Sequence, residues 1–270
     1  MMGVCRVDDQ AAAGMFAGGH EDLPLQIEVA ADRLLDVRPG HRALDVGCGT
    51  GRAAIRLALA VGEGGSVVGI DHDAAMLRRA GELAGEAGVA GRIRLLLGDA
   101  EALPFPDGAF DRVRCARVLQ HVAEPAAVAR EMFRVLRPGG RMMLMESDHS
   151  GLSVDTGCAD IEWRIRRDRV ALWPHGTAGR QIYGVCRALG LRDLTLLPGA
   201  VPVTLLASFE RATDWTRSLR RLVETGRLSA QEEETIDSDL RARDERGNFF
   251  AYGVCIAVVG RKPLAGETLL

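Results

Sequence analysis

Between residues 41 and 147 short apolar runs alternate with longer stretches whose apolar positions recur every three or four residues. A brief continuous apolar run reads as a strand buried on both faces, and the three-to-four spacing reads as a helix with one buried face. "HRALDVG" (41–47), "GSVVGIDHD" (65–73), "RIRLLLGDA" (92–100), "FDRVRCA" (110–116) and "RMMLMES" (141–147) are the predicted strands. "TGRAAIRLALAVG" (50–62), "AAMLRRAGELAGEAG" (74–88) and "PAAVAREMFRVLRPGG" (125–140) are the predicted helices. Gly88 stops the second, and Pro138 with Gly139 stops the third. Strand and helix alternating at this spacing imply an α/β fold, a doubly wound and mostly parallel sheet covered on both faces.

After Gly151 the rhythm changes. Residues 158–173 and 178–190 carry helical patterns, 191–203 is strand-like, 206–246 reads as polar helices, and 249–262 is an apolar closing strand, the seventh. Around Leu25–Val37 a helical apolar pattern predicts a lid within the first forty residues. There is no internal repeat and no low-complexity linker. The expectation is one domain over 1–270, with a core at 41–150 and substrate-side helical elements at 151–190 and 206–246.

Composition narrows the class of function. The 270 residues are 47% hydrophobic and 26% charged, which is ordinary for a globular chain that buries a large core. A net charge of −3 and 4% aromatics argue against a nucleic-acid partner, which calls for a basic face or a stacking platform. Lys262 is the only lysine, so arginine supplies nearly all positive charge. The six cysteines are scattered, without metal-type spacing, as expected in a reducing cytoplasm. "MMGVCRVDDQ" has no signal-type apolar core, and no run approaches a membrane span, so no membrane association is expected. The manner of assembly, a homodimer included, is left open.

The first strand breaks into Gly47, Gly49 and Gly51 before a helix begins, with Asp45 just ahead of them. Glycines at such a point let the backbone turn tightly and approach a ligand, and the helix N-terminus offers free N–H groups. In open α/β sheets ligands bind beyond the carboxyl ends of the strands. The dinucleotide fingerprint G-x-G-x-x-G is not matched, because Arg52 holds its third glycine position. Asp45 would repel a pyrophosphate but favours an ammonium group.

"LDVGCGTG" (44–51), "VVGIDHDAAML" (67–77), "GDAEALPFPDGAFDRV" (98–113), "ARVLQHVAEP" (116–125) and "EMFRVLRPGGRMML" (131–144) stand in order. Together they resemble the motifs of class I S-adenosylmethionine (SAM)-dependent methyltransferases, most closely the small-molecule subgroup of ubiquinone and menaquinone biosynthesis. The closing "FFAYGVCIAVVGRKP" fits the same pattern. The resemblance implies a seven-stranded sheet, SAM as cofactor and S-adenosylhomocysteine (SAH) as product. It implies that Asp45 and the backbone of Gly47, Cys48 and Gly49 hold the methionine end, with Gly51 opening the helix. Asp71, with His72 beside it, would take the ribose hydroxyls, Met76 the adenine face, and Asp99 with the Ala100 N–H the adenine edge. Cys115 to Arg117 would line the sulfonium side. Without the resemblance, Asp71 and Asp99 also read as helix caps or turn residues, and Met76 as core.

Methyl transfer needs acceptor, methyl and sulfur in line, and a base where the acceptor must lose a proton. No metal is implied. His121 in "VLQHV" and His149 in "MESDHSG" follow the fourth and fifth strands, and histidine suits base work near neutrality. Asp148 would orient His149 or act alone. The plainer reading makes these histidines packed loop residues. The related enzymes' acid-proline-aspartate-tryptophan run is here Glu146-Ser147-Asp148-His149, which separates this chain from them at the acceptor. His20, His175, Arg180 and Tyr183 are further acceptor-facing candidates. "WRIRRDRVALW" reads either as an anion site or as a solvated helix face with Trp163, Ile165 and Leu172 turned inward. The expected function is methyl transfer to a small organic acceptor. A SAM- or SAH-binding protein of this fold catalysing a cyclisation would carry the same motifs, and a dehydrogenase is disfavoured by Arg52 and Asp45.

Overall fold

The structure, a computed structural model, describes residues 25–267. Its centre is a seven-stranded sheet in the order β3-β2-β1-β4-β5-β7-β6. The strands are β1 (Arg42–Val46), β2 (Ser66–Asp71), β3 (Ile93–Leu97), β4 (Phe110–Ala116), β5 (Leu136–Val154), β6 (Arg192–Val203) and β7 (Ala251–Arg261). The first five pair in parallel, and β7 lies antiparallel between β5 and β6. Strand order reverses between β1 and β4, so a crevice opens there at their carboxyl ends.

Side chains alternate across each strand and fill two layers. Leu44, Val46, Val113, Cys115, Met142 and Leu144 face one side, against α4 (Pro125–Val135) and α6 (Ala178–Ala188). Ala43, Val67, Met143 and Met145 face the other, against α1 (Leu25–Leu35), α2 (Arg52–Val61) and α3 (Ala74–Glu86). Burial on both faces explains why these strands read as unbroken apolar runs.

A third core lies beyond the sheet. It joins the far ends of β5, β6 and β7 to α5 (Ala159–Arg169), α7 (Leu206–Thr213), α8 (Trp215–Glu224) and α9 (Ala230–Glu245). Strand β5 reaches this core because β7 resumes pairing after a bulge, with Ser153 opposite Tyr252 and Val154 opposite Ala251. The polar stretch "SDHSG" hid that continuation.

Two expectations are corrected. Helix α4 ends at Val135, five residues early: Leu136 is already extended and pairs with Phe110. Pro138 disfavours helical geometry at Arg137, and the Lys262 ammonium caps the Phe133 and Leu136 carbonyls, each at 2.7 Å. Helix α1 buries Ala31 and Leu35 against the sheet and turns Gln26, Glu28, Val29 and Arg33 to the crevice. On α5, Ile165 turns inward as expected, but Trp163 is 54% exposed and Arg169 takes the interior position. Arg169 donates to Ser218 Oγ and the Thr213 carbonyl, and burial pulls its pKa down to about 10.

Candidate active site

The crevice holds a cavity of about 1380 Å³ walled by the loops after β1, β2, β3 and β4 and by α1. The β1–α2 loop forms its floor. Gly47 sits at φ +67°, where a side chain is strained, and an added Cβ would lie 2.2 Å from Val118 Cγ2. Gly49, at φ +51°, has nothing within 4 Å of its missing Cβ, so the floor is bare backbone. Gly51 precedes α2 without any side-chain cap, which leaves the first N–H groups of that helix facing outward.

Asp71 ends β2 and ties this floor down. Its Oδ2 accepts the Gly49 N–H at 2.8 Å and its Oδ1 accepts the Asp73 N–H at 3.0 Å. Asp73, not Asp71, caps α3, accepting from Ala75 and Met76. Met76 is therefore held on the first turn, 43% exposed at the cavity rather than in the core. Across the opening stands Leu97, the last residue of β3, paired with Asp71 and 64% exposed. Asp99 Oδ1 accepts the Glu101 N–H at 2.8 Å, a turn role that leaves its other oxygen to the cavity it lines with Ala100 and His72.

Beneath the floor lies a charge cluster. Arg114 on β4 bonds Asp45 Oδ1 at 2.8 Å and Glu28 Oε1 at 2.7 Å, and its Nε is 3.2 Å from Asp32 Oδ1. Arg56 on α2 bonds Glu28 at 2.6 Å and Asp32 at 2.8 Å. Three carboxylates thus face two guanidiniums, one negative charge in excess. Burial raises the Glu28 pKa, but Arg114 and Arg56 outweigh it and hold Glu28 down at about 2. The surplus falls on Asp45, whose pKa burial pushes up to about 6 despite Arg114. Its second oxygen, Oδ2, is buried without a partner. Asp45 thus lines the cavity as an under-neutralised carboxylate.

The fourth strand brings a correction. Cys115 does not line the cavity: it is fully buried in the opposite layer with Val113 and Leu144. Side chains alternate, so Arg114 and Ala116 take the cavity face and Cys115 the other. Arg117 does line the cavity, from a left-handed backbone at φ +60°.

The proposed bases fare differently. Asp148 is not on the cavity wall; Arg180 grips both its oxygens, at 2.5 and 3.0 Å, and Ser150 Oγ donates to it at 2.6 Å. Burial raises its pKa, but those bonds prevail and hold it below the usual carboxylate range. His149 also lies outside the wall. It stacks on Trp173 at 4.5 Å, and its Nε2 meets Gln120 Oε1 at 2.7 Å. Burial lowers its pKa to about 4. His121 does line the cavity; burial, then Arg117, lowers its pKa, and its Nε2 lies 3.1 Å from Gln120 Nε2. His175 contacts the Ala123 carbonyl, Tyr183 is 43% exposed away from the cavity, and His20 lies outside the described residues. None of the cavity-lining residues comes from the elements after Gly151.

Sequence reasoning missed Glu28, Arg56, Arg114, Leu97 and Gln120. Arg114 left a signal, a charge inside an apolar strand. It also missed the part played by Glu146, fully buried within β5, whose Oε1 accepts the Val118 and Leu119 N–H groups at 2.8 and 2.7 Å. Among the described residues no His, Cys, Asp and Glu side chains gather as a metal site, and no helix is long and apolar enough to cross a membrane.

Residues 44–144 match the family model described as a methyltransferase domain. An uncharacterised 37.1 kDa protein in a transposon of Streptomyces fradiae is 35% identical over 234 residues, 84% of this chain and 64% of that one. The ubiquinone/menaquinone biosynthesis C-methyltransferase UbiE of Yersinia enterocolitica is 42% identical over 110 residues, 41% of this chain and 44% of that enzyme. The chain therefore spans less than two thirds of either relative. In fold it is similar to YcgJ of Bacillus subtilis, with a TM-score of 0.57, 24% identity, and coverage of 91% of this chain and 99% of that one. Over residues 44–144 the chain matches a methyltransferase domain, and in that region it resembles the ubiquinone and menaquinone C-methyltransferases.

Proposed function

We propose that this protein transfers the methyl group of SAM to a small organic acceptor. The observation that carries the reading is the under-neutralised Asp45, with its unpartnered Oδ2, under a bare glycine floor in the switch-point cavity. SAM bears an ammonium group that supplies the missing positive charge. The other parts of the cavity suit the remainder of SAM. Asp71 is anchored through two backbone N–H bonds and keeps lone pairs for a ribose diol. Met76 and Leu97 offer two apolar faces for an adenine, and the free oxygen of Asp99 suits its amino group.

When bound, SAM supplies an activated methyl on a good leaving group, so alignment is the chief demand on the protein. The residues of this chain supply that alignment. Asp71 fixes the Gly49 peptide, and Glu146 fixes the Val118–Leu119 turn opposite it. Gln120 holds the two histidines, so that His149 Nε2–H donates to Oε1 and the amide N–H donates to His121 Nε2. In that arrangement His121 presents its Nδ1–H and orients an acceptor instead of taking its proton.

The test is acceptor-dependent release of SAH from methyl-labelled SAM across a panel of phenols, enols, carboxylic acids and amines. Labelled product from any of them supports the reading. SAM bound without transfer to any of them, but converted with a ring-forming substrate, would replace it with the cyclase reading.

A further inference from the structure

Helix α1 rests on two different footings. Its C-terminal half is held by apolar burial of Ala31 and Leu35, and Arg141 donates to the Leu34 carbonyl at 2.6 Å. Its N-terminal half is held by charge. Glu28 accepts from Arg56 and Arg114 at 2.6 and 2.7 Å, and Asp32 meets the same two guanidiniums at 2.8 and 3.2 Å. Glu28 lines the cavity, and Asp32 stands one helical turn behind it.

These two acids decide the sign of the charge around Asp45. Arg114 belongs to β4 and Arg56 to α2, so both are in place whatever α1 does. Asp45 alone against them leaves one positive charge in excess, which repels an ammonium group. Glu28 and Asp32 turn that excess into one negative charge, which attracts it. Their field reaches Asp45: burial raises its pKa, Arg114 opposes the rise, and Glu28 and Asp32 add to it. Arg33, the other α1 charge at the crevice, is not among the groups that act most on Asp45. Water does not absorb the excess, because Asp45 is 1% exposed and its Oδ2 has no partner. Charges in such a poorly solvated place act strongly on one another. Arg117 lines the cavity within the field of Glu28. The cofactor's own carboxylate is an anion for it, so Arg117 leaves the balance at the ammonium unchanged.

We propose that Glu28 and Asp32 are positioning residues for the cofactor: docking the N-terminal half of α1 supplies the negative charge that recognises the cofactor's ammonium group, and the ammonium holds that half of the helix down. This deepens the methyltransferase reading and rests on it. Linkage makes the two effects equal. Whatever factor the docked helix adds to ammonium affinity, the ammonium adds to docking.

The experiment compares SAH with its analogue in which hydrogen replaces the amino group. The two ligands share every other group, the carboxylate included. Backbone hydrogen exchange at residues 29–32 is measured in wild type saturated with each ligand. Calorimetry then gives the affinity of wild type, Glu28→Gln and Asp32→Asn for both. The expected result is slower exchange with SAH than with the analogue, by roughly fivefold or more. Each variant should also lose roughly fivefold more affinity for SAH than for the analogue. A merely structural role for the two acids would cost both ligands alike. Equal slowing by the two ligands, or equal affinity changes for the two in the variants, overturns the proposal. The exchange comparison needs no variant, so it decides the matter even where a variant fails to fold. Failure of wild-type protein to bind SAH would instead overturn the methyltransferase reading.

Discussion

Asp45 and Arg114 form a buried pair at 2.8 Å in which one Asp45 oxygen stays unpartnered. The pair joins β1 to β4 across the switch point. Removing one partner of a buried pair leaves the other uncompensated. Arg114→Ala should therefore lower unfolding free energy by about 3 kcal/mol, read by urea denaturation. A loss under about 1 kcal/mol would mean that Asp45 does not depend on Arg114 for its compensation.

The same carboxylate sets a pH dependence for binding. The pKa of Asp45 is raised to about 6 by burial, so it is largely protonated at pH 5 and ionised above pH 7. An ammonium ligand prefers the ionised form. SAH affinity should rise from pH 5 to 7 and level off, and Asp45→Asn should remove that rise. Equal pH profiles for both proteins would detach Asp45 from the ligand.

Glu146 gives a stability prediction of opposite use. Burial pushes its pKa from 4.5 up to about 7, against the bonds from Leu119 and Val118. A pKa raised on folding means that the group's contribution is fully present below pH 4.5 and lost as pH rises through 7. Glu146→Gln keeps an acceptor for the two N–H groups and carries no charge. It should be less sensitive to pH over that window, with a relative gain of about 3 kcal/mol by pH 8. Parallel stability curves for the two proteins would contradict this.

His149 should prove structural. Its folded pKa, lowered to about 4 by burial, means that its contribution is present above pH 6.5 and lost as pH falls through 4. His149→Phe keeps a ring against Trp173 but cannot titrate. It should show a shallower acid destabilisation than wild type with unchanged SAH affinity. A large loss of SAH affinity would place His149 in the site after all.

Much of this was legible in local pattern. The first five strands, the glycine turn, Asp71 at the end of β2 and Asp99 just after β3 all lie inside short segments whose residue types state their conformation. What was hidden depends on distant partners. Nothing near Asp45 announces Arg114, 69 positions away, or Glu28 on α1. Cys115 sits in the opposite layer because side chains alternate along β4, and the motif does not state which face each residue takes. Asp148 read as a free acid because Arg180, 32 positions on, is what occupies it. The length of β5 is set by β7, whose Tyr252 and Ala251 pair with Ser153 and Val154 from far along the chain, and no local pattern records that.

The central claim is a SAM site, and calorimetric titration tests it most directly. Wild type and Asp71→Ala are titrated with SAM, SAH and NAD. The account predicts that wild type binds SAM and SAH in the micromolar range and does not bind NAD. It also predicts that Asp71→Ala loses about 2–3 kcal/mol of affinity for both, as the ribose bonds and the anchor of Gly49 go together. Wild-type protein that binds neither SAM nor SAH, or a variant that binds both as tightly as wild type, would contradict it.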